Sequence, residues 1–403
     1  MSKPKVFEKP IGVRDYLPEA VTKLRSIESK VLACMQLWGY RQIITPTLEY
    51  YDTVGVASST SDKKLFKLLD RYGSTLVLRS EMTAPIARVV SSLLKNHSLP
   101  LRLSYHSQVF RAIEAEAGRD AEFFQTGVEL IGDASPEADA EVIALAIASL
   151  QAAGVTSFKI ALGHVGFLNG LFQEILQHRY EAESILKSYL LKRDHVGYRE
   201  AIQQLHLEDS RSLPLEEILR LRGGIETCQK ASIMTRNALA SQSISHLSQV
   251  WDVLHAYGVT EHVMIDLTMI GDFSYYSGMV FEGYASDHAF PVCSGGRYDN
   301  LLSHFGRACA STGFALKTNR ILELFDDIDA FQAPRTLIMY DEAHRIEALQ
   351  KAMHMRSRDD SIVVTKFIAG GHPHFAQIEQ KKGCFHMDGE MYHEVLRMFD
   401  LHE

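Results

Sequence analysis

One extended segment, residues 124–130, limits what this chain of 403 residues can fold into more than any other part of it. Gln125, Gly127 and Glu129 alternate in this segment with Phe, Thr, Val and Leu residues. Because successive side chains of a strand point to opposite faces, these three residues share one face. A central strand with a polar, hollow face predicts a pocket for a small polar ligand. The alternative is the solvated face of an edge strand.

The rest of the first 330 residues alternates between helical and extended patterns. Leu24, Ile27, Val31, Met35 and Trp38 recur every three or four residues, which predicts an amphipathic helix over residues 19–38. Helices interleaved with strands that need not be parallel predict an α+β domain. The remaining predicted helices cover residues 83–97 and 136–152, and the strands cover residues 76–79, 101–110, 123–132, 158–163, 262–270, 275–285 and 290–296.

Two regions depart from this alternation. Residues 167–256 are rich in Leu, Glu, Gln, Lys and Arg and contain one proline, Pro214, so they predict a helical insertion. Residues 331–403 predict a small α/β module in the order strand, helix, strand, short helix, strand and final helix. The expected domains are therefore a core over residues 1–330, with its insertion at 167–256, and a C-terminal domain over residues 331–403.

Composition and charge narrow the classes of function. Hydrophobic residues make up 46% of the chain and the formal net charge is -8, with a pI near 6.1. A protein whose main task is to bind nucleic acid usually carries a basic face, so this balance argues against such a task. No stretch approaches the ~20 apolar residues of a membrane span, and the first residues do not resemble a signal peptide.

Cysteine and histidine patterns point to a reduced protein without a metal. The five cysteines are odd in number, scattered and without a C-x-x-C pair, which favours buried thiols in a cytoplasmic protein. His372 and His374 are close together beside two glycines, but no carboxylate or thiol cluster accompanies them. We therefore expect neither a metal ion nor a cofactor.

Polar residues interrupt the apolar segments in three further places. Glu81 and Thr83 lie where a predicted strand runs into a helix, and the alternative to a binding role is that Ser80 or Thr83 caps that helix. Arg111 ends a predicted strand, where it can hold a carboxylate or phosphate. An ordinary surface ion pair with Glu114 or Glu116 is equally compatible with its position.

Tyr275 and Tyr276 precede Gly278 in a predicted strand, and a glycine allows a ligand to approach the backbone closely. Adjacent residues of a strand point to opposite faces, so we expect at most one of the two tyrosines to line a given pocket. Two core tyrosines are the alternative.

In this order, these segments resemble the signature motifs of class II histidyl-tRNA synthetases and their paralogues over residues 8–325. Pro46, Leu48 and Glu49 resemble motif 1, and residues 110–129 resemble motif 2. Residues 313–316 with Arg320 resemble motif 3. The resemblance implies an antiparallel sheet core flanked by helices, a dimer interface at motif 1, a helical insertion between motifs 2 and 3, and a shortened form of the anticodon-binding domain at the C-terminus.

The resemblance also implies a pocket for free histidine. Carboxylates suit the α-ammonium group, and a carboxylate or a tyrosine hydroxyl suits the imidazole nitrogens. The positions that match the family's amino-acid contacts, together with the motif 2 arginine, are Glu81, Thr83, Arg111, Gln125, Glu129, Tyr275 and Tyr276.

The positions that handle ATP in the family depart from its pattern. Gly271 replaces an arginine whose loss costs on the order of 10²–10³ in rate when such a preorganised charge is removed. Ser274, Ile113, Lys317 and Asn319 replace an aspartate, a glutamate, a glycine and a glutamate. The retained arginines, Arg111 and Arg320, then mark a vestigial nucleotide site. We expect no catalytic residue and a loss of aminoacylation.

A histidine-binding paralogue without aminoacylation implies a regulatory role in the first step of histidine biosynthesis. The implied partner is the catalytic subunit of ATP phosphoribosyltransferase, joined by a homodimer of this chain in a hetero-oligomer, expected to be a hetero-octamer. Histidine is the implied feedback ligand, and tRNA binding is not expected. The alternatives are an active histidyl-tRNA synthetase and a histidine-sensing scaffold for another partner.

Overall fold

The structure is a computed structural model that describes residues 8–113, 120–270, 275–286, 288–325, 334–358, 362–368, 378–381, 384–387 and 389–399. The chain separates into two compact units, Met1–Asp326 and Asp327–Glu403. No helix in the described ranges is long and apolar enough to cross a membrane.

The larger unit is built on a nine-stranded sheet of described residues. In spatial order its strands are β1 (Arg41–Gln42), β5 (Leu101–Phe110), β6 (Glu122–Ile131), β12 (Ser311–Lys317), β11 (Cys293–Arg297), β10 (Met279–Ala285), β7 (Phe158–His164), β9 (Val263–Asp266) and β8 (Arg222–Gly223). The six strands from β5 to β7 in this order are antiparallel, whereas β1 runs parallel to β5 and β9 runs parallel to β7.

Strand β6 lies well inside this sheet, because it pairs with β5 on one side and with β12 on the other. The interpretation of residues 124–130 as an edge strand is therefore wrong. A second, small antiparallel sheet has the order β2 (Leu48–Tyr50), β4 (Thr75–Leu78) and β3 (Lys67–Leu69).

Helices cover the sheet and form the segment between β7 and β9. Those of the larger unit are α1 (Pro18–Leu37), α2 (Thr83–Ser92), α3 (Pro136–Ala152), α4 (Val165–Leu176), α5 (Tyr180–Leu191), α6 (His195–Gln204), α7 (Asp209–Glu217), α8 (Glu226–Ser232), α9 (Ala238–Ala256) and α10 (Thr318–Leu322). Short 3₁₀ or π turns lie at Tyr51–Gly55, Asp62–Lys64, Ile218–Arg220, Thr260–His262 and Leu301–Phe305.

Helices α1 and α3 pack on one face of the central sheet. The predicted stripe of α1 is confirmed, since Leu24, Ile27, Val31 and Met35 are buried. Helix α3 also begins as predicted: Pro136 is its first residue, and the Ser135 side chain accepts a hydrogen bond from the Ala138 amide. Nearly every face of α3 is buried, so it forms the centre of this core.

Helix α1 covers one face of the central sheet, so a binding site is expected on the other face. Thr126 of β6 contacts the His106 ring, with 2.7 Å between Oγ1 and Nδ1. His106 in turn lies 3.6 Å from Glu28 of α1. Even-numbered residues of β6 therefore face α1, and Gln125, Gly127 and Glu129 face the other side.

The segment predicted as a helical insertion contains α4 to α9, but it is not helical throughout. Arg222–Gly223 forms the two-residue strand β8, which pairs antiparallel with β9 at the edge of the central sheet. Two residues are too few for a periodic pattern, so the sequence carried no signal for this strand. Helix α9 returns from the segment and packs on α3 and α4.

In its described residues, the smaller unit contains two three-stranded sheets and the helix α11 (Arg345–Arg358). The predicted final helix is wrong, because Glu394–Met398 is a strand that pairs parallel with the first strand of the unit. Such a short segment cannot sustain a helix alone, and a neighbouring strand satisfies its backbone. The sheets are β14 (Ile362–Phe367), β13 (Arg335–Tyr340) and β18 (Glu394–Met398), and β15 (Glu379–Lys381), β16 (Cys384–Met387) and β17 (Glu390–Tyr392).

All five cysteines are free. Two of them, Cys228 and Cys293, are buried, and the other three are only half-buried, so the expectation of mostly buried thiols is wrong in its extent. The predicted short helix near residue 370, together with His372 and His374, lies outside the described residues.

Candidate functional site

A small cavity lies on the face of the central sheet opposite α1. The cavity collects residues from the β4–α2 junction, from β5, β6, β11 and β12, and from the segments that flank β10 and β11. Its lining is Glu81, Thr83, Tyr105, Gln125, Glu129, Tyr275, Tyr276, Ser294, Gly295, Tyr298, Gly313, Phe314 and Ala315.

Glycines keep the floor of the cavity open. A Cβ on Gly127 would lie 2.2 Å from the Phe314 carbonyl oxygen and 2.6 Å from the Tyr105 hydroxyl. A Cβ on Gly313, which pairs with Glu129 across the sheet, would lie 2.1 Å from the Glu129 carboxylate. Since real atoms do not approach so closely, any side chain at either position would displace the cavity wall.

Glu129 is the most buried acid of the cavity, with 2% of its surface exposed. The Thr83 hydroxyl donates to its Oε1 at 2.9 Å, and the Tyr298 hydroxyl donates to its Oε2. Burial raises the pKa of Glu129 to about 8, although both hydrogen bonds oppose the rise. The carboxyl is therefore largely protonated at neutral pH while the cavity holds no cation.

Glu81 is the second buried acid of the same cavity. Its Oε2 accepts hydrogen bonds from the Tyr275 hydroxyl at 2.9 Å and from the Ser59 hydroxyl at 3.5 Å. Its Oε1 is buried and has no hydrogen-bond partner in the described part of the chain. Burial raises the pKa of Glu81, and the nearby charge of Arg111 partly offsets that effect. Within the described residues, Glu81 Oε1 is therefore a buried acceptor that a ligand in the cavity can meet.

Thr83 and Ser80 do not cap helix α2, so the capping alternative is wrong. The helix begins at Thr83 and its N-terminus has no side-chain cap. The Thr83 hydroxyl is directed to Glu129, and the Ser80 hydroxyl lies 3.0 Å from that of Ser58.

Both tyrosines of the predicted pair line the cavity, so the expectation that at most one would do so is wrong. Strand β10 begins only at Met279, and Tyr275 and Tyr276 lie in the turn before it, where strand alternation does not apply. Their rings meet edge to face with centroids 5.3 Å apart. Tyr275 also meets Tyr298 at 5.7 Å, so three tyrosines form one aromatic wall.

Arg111 lies next to Glu81 but is not part of the cavity lining. Its Nε donates to the Ser80 carbonyl at 2.9 Å, and its guanidinium stacks over the Phe123 ring at 5.3 Å from the centroid. Its effect on the pKa of Glu81 is the observation that links it to the site. The alternative ion-pair partners, Glu114 and Glu116, lie outside the described residues.

Asn319, which the resemblance places at a position of the family's ATP site, makes structural contacts in this chain. Its amide nitrogen donates to the Tyr16 hydroxyl at 2.6 Å and to Asp120 at 3.2 Å, and its oxygen accepts from the Phe124 amide at 2.9 Å. Asn319 therefore connects α10, β6 and the N-terminal segment.

The other motif positions make local contacts as well. Arg320 donates to the Pro291 carbonyl at 2.8 Å and stacks over Phe290. Ile113 lies against the backbone at Gly12, where a Cβ would be 2.6 Å from its Cδ1. Lys317 ends β12, opposite Gln125. Gly271 and Ser274 lie outside the described residues.

The structure adds lining residues that sequence reasoning missed, above all Tyr105 and Tyr298. Tyr105 lies opposite Gly127 in the β5–β6 pair, and Tyr298 directly follows β11. The sequence predicts that Tyr105 lies in a strand, and alternation places it on the same face as Leu103 and Ser107. That this face is the one with Gly127 follows only from the register between β5 and β6. Among the described residues, no group of three His, Cys, Asp or Glu side chains could hold a metal ion.

Comparison with known proteins places this site in a family context. The family described as histidyl-tRNA synthetase matches residues 12–321. The chain is 44% identical over 365 residues to an ATP phosphoribosyltransferase regulatory subunit of Halalkalibacterium halodurans, which covers 90% of this chain and 92% of that protein. It is 46% identical over 359 residues to the protein of the same name from Bacillus licheniformis, with 89% and 91% covered.

Solved structures of related proteins superpose on this chain. A crystal structure of an ATP phosphoribosyltransferase regulatory subunit/histidyl-tRNA synthetase from Bacillus halodurans superposes with a TM-score of 0.88 at 40% identity, covering 99% of this chain and all of that one. A histidyl-tRNA synthetase from Nostoc superposes with a TM-score of 0.76 at 18% identity, covering 94% of this chain and 88% of that one. The second likeness shows a shared fold.

Proposed function

The chain belongs to the histidyl-tRNA synthetase family, and we propose that it is a cytoplasmic, non-catalytic regulatory subunit of ATP phosphoribosyltransferase that binds free histidine in the Glu81–Glu129 cavity. In this proposal the subunit acts at the first step of histidine biosynthesis, where bound histidine conveys feedback to the catalytic subunit. The names of its relatives support the regulatory role, and the chemistry of the cavity supports the ligand.

The observation that carries the ligand is a pair of buried acids, one of which keeps a carboxylate oxygen without a hydrogen-bond partner among the described residues. Buried carboxylates are stable when they meet a cation or several donors, and Glu81 Oε1 has no partner among the described residues. Free histidine brings an α-ammonium group and an imidazole N–H on one small molecule. One acid then receives the ammonium group and the other the imidazole, while the tyrosines enclose the ring.

The remaining predicted contacts complete this proposal. Gln125 lines the cavity, where its amide can donate or accept. We propose that Arg111 pairs with the ligand's carboxylate. The proposal rests on its positive charge and on its proximity to Glu81, since Arg111 does not itself line the cavity.

Binding without activation is supported by the contacts at the former ATP positions. Asn319 and Arg320 are bonded to the protein's own backbone and side chains. Feedback then requires that histidine binds one assembly state more tightly than the other, and this difference sets the size of the coupling. The alternatives are an active histidyl-tRNA synthetase and a histidine-sensing scaffold for another partner.

We also propose that the chain forms a homodimer within a hetero-octamer with the catalytic subunit. Exposed apolar side chains on the small sheet around motif 1, such as Leu48, Tyr50 and Leu69, support self-association at this face. The net charge of -8 supports the expectation that tRNA is not a partner.

Calorimetry of histidine binding tests the site. Wild type should bind histidine, and Glu129→Gln should bind it at least about 100-fold more weakly, because a buried charged partner is worth several kcal/mol. The matched control is Glu122→Gln on the same strand, outside the lining, which should bind like wild type. Equal affinity of wild type and Glu129→Gln would remove the site assignment.

Activity measurements separate the three functions. The favoured proposal requires that mixing with the catalytic subunit increases phosphoribosyl transfer to ATP and that histidine suppresses this gain. An active synthetase requires histidine-dependent ATP–pyrophosphate exchange by the purified chain alone. A scaffold for another partner requires histidine binding without either activity.

A further inference from the structure

A second cluster, formed by the buried Asp139 and Arg297 and the half-buried His246, adjoins the aromatic wall of the cavity. Asp139 of α3 is completely buried. The Arg297 Nε donates to its Oδ2 at 3.0 Å, and Nη2 lies 3.0 Å from Oδ1. The His246 Nε2 donates to the same Oδ2 at 2.8 Å. An ion pair in such a dry environment tolerates little rearrangement, because an unpaired buried charge is costly.

Besides its ion pair with Asp139, Arg297 donates hydrogen bonds to the segments on either side of it. Its Nη1 donates to the Asp133 carbonyl at 3.1 Å and to Asp299 at 3.2 Å, and its Nη2 donates to the Ser135 carbonyl at 3.4 Å. One guanidinium therefore connects the start of α3 with the segment that follows β11.

The same arginine is joined directly to the aromatic wall. Tyr298, the next residue, donates to Glu129. The Ser277 amide donates to the Arg297 carbonyl at 2.8 Å, and the Asp299 amide donates to the Ser277 hydroxyl at 2.9 Å. Ser277 directly follows the Tyr275–Tyr276 turn, so both parts of the wall are attached to one residue.

Gly278 shows how closely the two strands approach at this point. A Cβ at Gly278 would lie 3.0 Å from the Cδ of Arg297. The Arg297 side chain therefore packs against the backbone that directly follows Tyr275 and Tyr276.

His246 connects this cluster to the helical segment between β7 and β9. It lies on α9, the last helix of that segment, which packs on α3 and α4. Its ring meets the His164 ring edge-on at 5.7 Å, at the point where β7 ends and the segment begins. Burial lowers the pKa of His164 to about 3, so His164 is neutral and places no competing charge beside the Asp139–His246 bond.

We propose that Asp139, Arg297 and His246 are positioning residues that hold the aromatic wall of the histidine cavity and transmit its occupancy to helix α9. A ligand that pulls Tyr275, Tyr276 and Tyr298 inwards also pulls Arg297, and the shared carboxylate of Asp139 passes this displacement to His246. The inference rests on the proposed function, because it takes histidine as the ligand.

The test combines calorimetry with hydrogen–deuterium exchange of the α9 amides, with and without histidine. In wild type, histidine should slow this exchange. His246→Leu keeps the Asp139–Arg297 pair, and it should bind histidine about 2- to 30-fold more weakly, the range for residues that carry coupling, and lose the protection of α9. His246→Gln retains an N–H donor for Asp139 and should restore both properties, whereas His255→Gln on the same helix should change neither.

The measurements on wild type and on His246→Leu separate the positioning role from the proposed function. If His246→Leu keeps wild-type affinity and protection, or if wild type binds histidine without any change in α9, the positioning role is refuted and the proposed function stands. If wild type does not bind histidine, both fail together. Should His246→Leu not fold, Arg297→Lys replaces it in the same measurements: weaker binding with lost protection supports the inference, and wild-type behaviour refutes it.

Discussion

The raised pKa of Glu129 makes histidine binding depend on pH in a way that can be worked out from the structure. Below pH 8 the carboxyl of the empty cavity is largely protonated, because burial raises its pKa to about 8. To pair with the ligand's ammonium group it must ionise, and this costs about 1.4 kcal/mol for each pH unit below 8. With the ligand's own titration subtracted, affinity at pH 6 is therefore expected to be about 100-fold, and at pH 7 about 10-fold, below the value for a fully ionised Glu129.

The proton that leaves Glu129 is itself measurable. At pH 7 a carboxyl with a pKa of about 8 is about 90% protonated, so binding should release about 0.9 proton per histidine, falling towards zero above pH 9. Calorimetry at one pH in buffers of different ionisation enthalpy gives this number directly. The titration of free histidine is measured separately, and Glu122→Gln should keep the wild-type profile. Binding at pH 7 without proton release would refute the reasoning.

The same group links pH to the stability of the ligand-free protein. Its pKa is higher in the folded state, at about 8, than its ordinary value of 4.5. The folded protein therefore favours the protonated carboxyl more than the unfolded chain does. This contribution to the free energy of unfolding is fully present below pH 4.5 and is lost as pH rises through 8. The full difference corresponds to about 5 kcal/mol at most. Thermal unfolding should show that histidine stabilises the protein more at pH 8.5 than at pH 6; an equal or smaller effect would contradict the assignment.

Three further predictions follow from other contacts of the site. Gly127→Ala should reduce histidine affinity by more than about 100-fold in calorimetry, because its Cβ would meet the Phe314 carbonyl at 2.2 Å; retained affinity would show that the floor is not used. Tyr298→Phe removes a donor to the Glu129 carboxylate, so the pH at which binding reaches its limit should move upwards, with about 10-fold weaker binding at pH 7; an unmoved profile would exclude this role. Asn319→Ala should lower the free energy of unfolding by about 1–3 kcal/mol in denaturant titrations, since its partners lose their bonds, while histidine affinity stays within about 2-fold of wild type; a large loss of affinity would mean that Asn319 serves the ligand.

The sequence by itself determined the elements whose pattern is local. The 3.6-residue spacing placed α1, the Ser135–Pro136 pair placed the start of α3, and the alternation in β6 placed Gln125, Gly127 and Glu129 on one face. These signals are readable because the spacing of side chains within one element depends only on that element. The order of the family motifs added Glu81 and Thr83 to the same site.

Only the tertiary structure decided how distant elements meet. The pairing of β6 with β12 brought Glu129 opposite Gly313, and the end of β11 brought the Tyr298 hydroxyl to Glu129. The turn before β10 directed both Tyr275 and Tyr276 into the cavity, against the expectation for a strand. Strand register and burial depend on contacts between residues far apart in the chain, and the raised pKa of Glu129 depends on burial, so neither can be read from one segment alone.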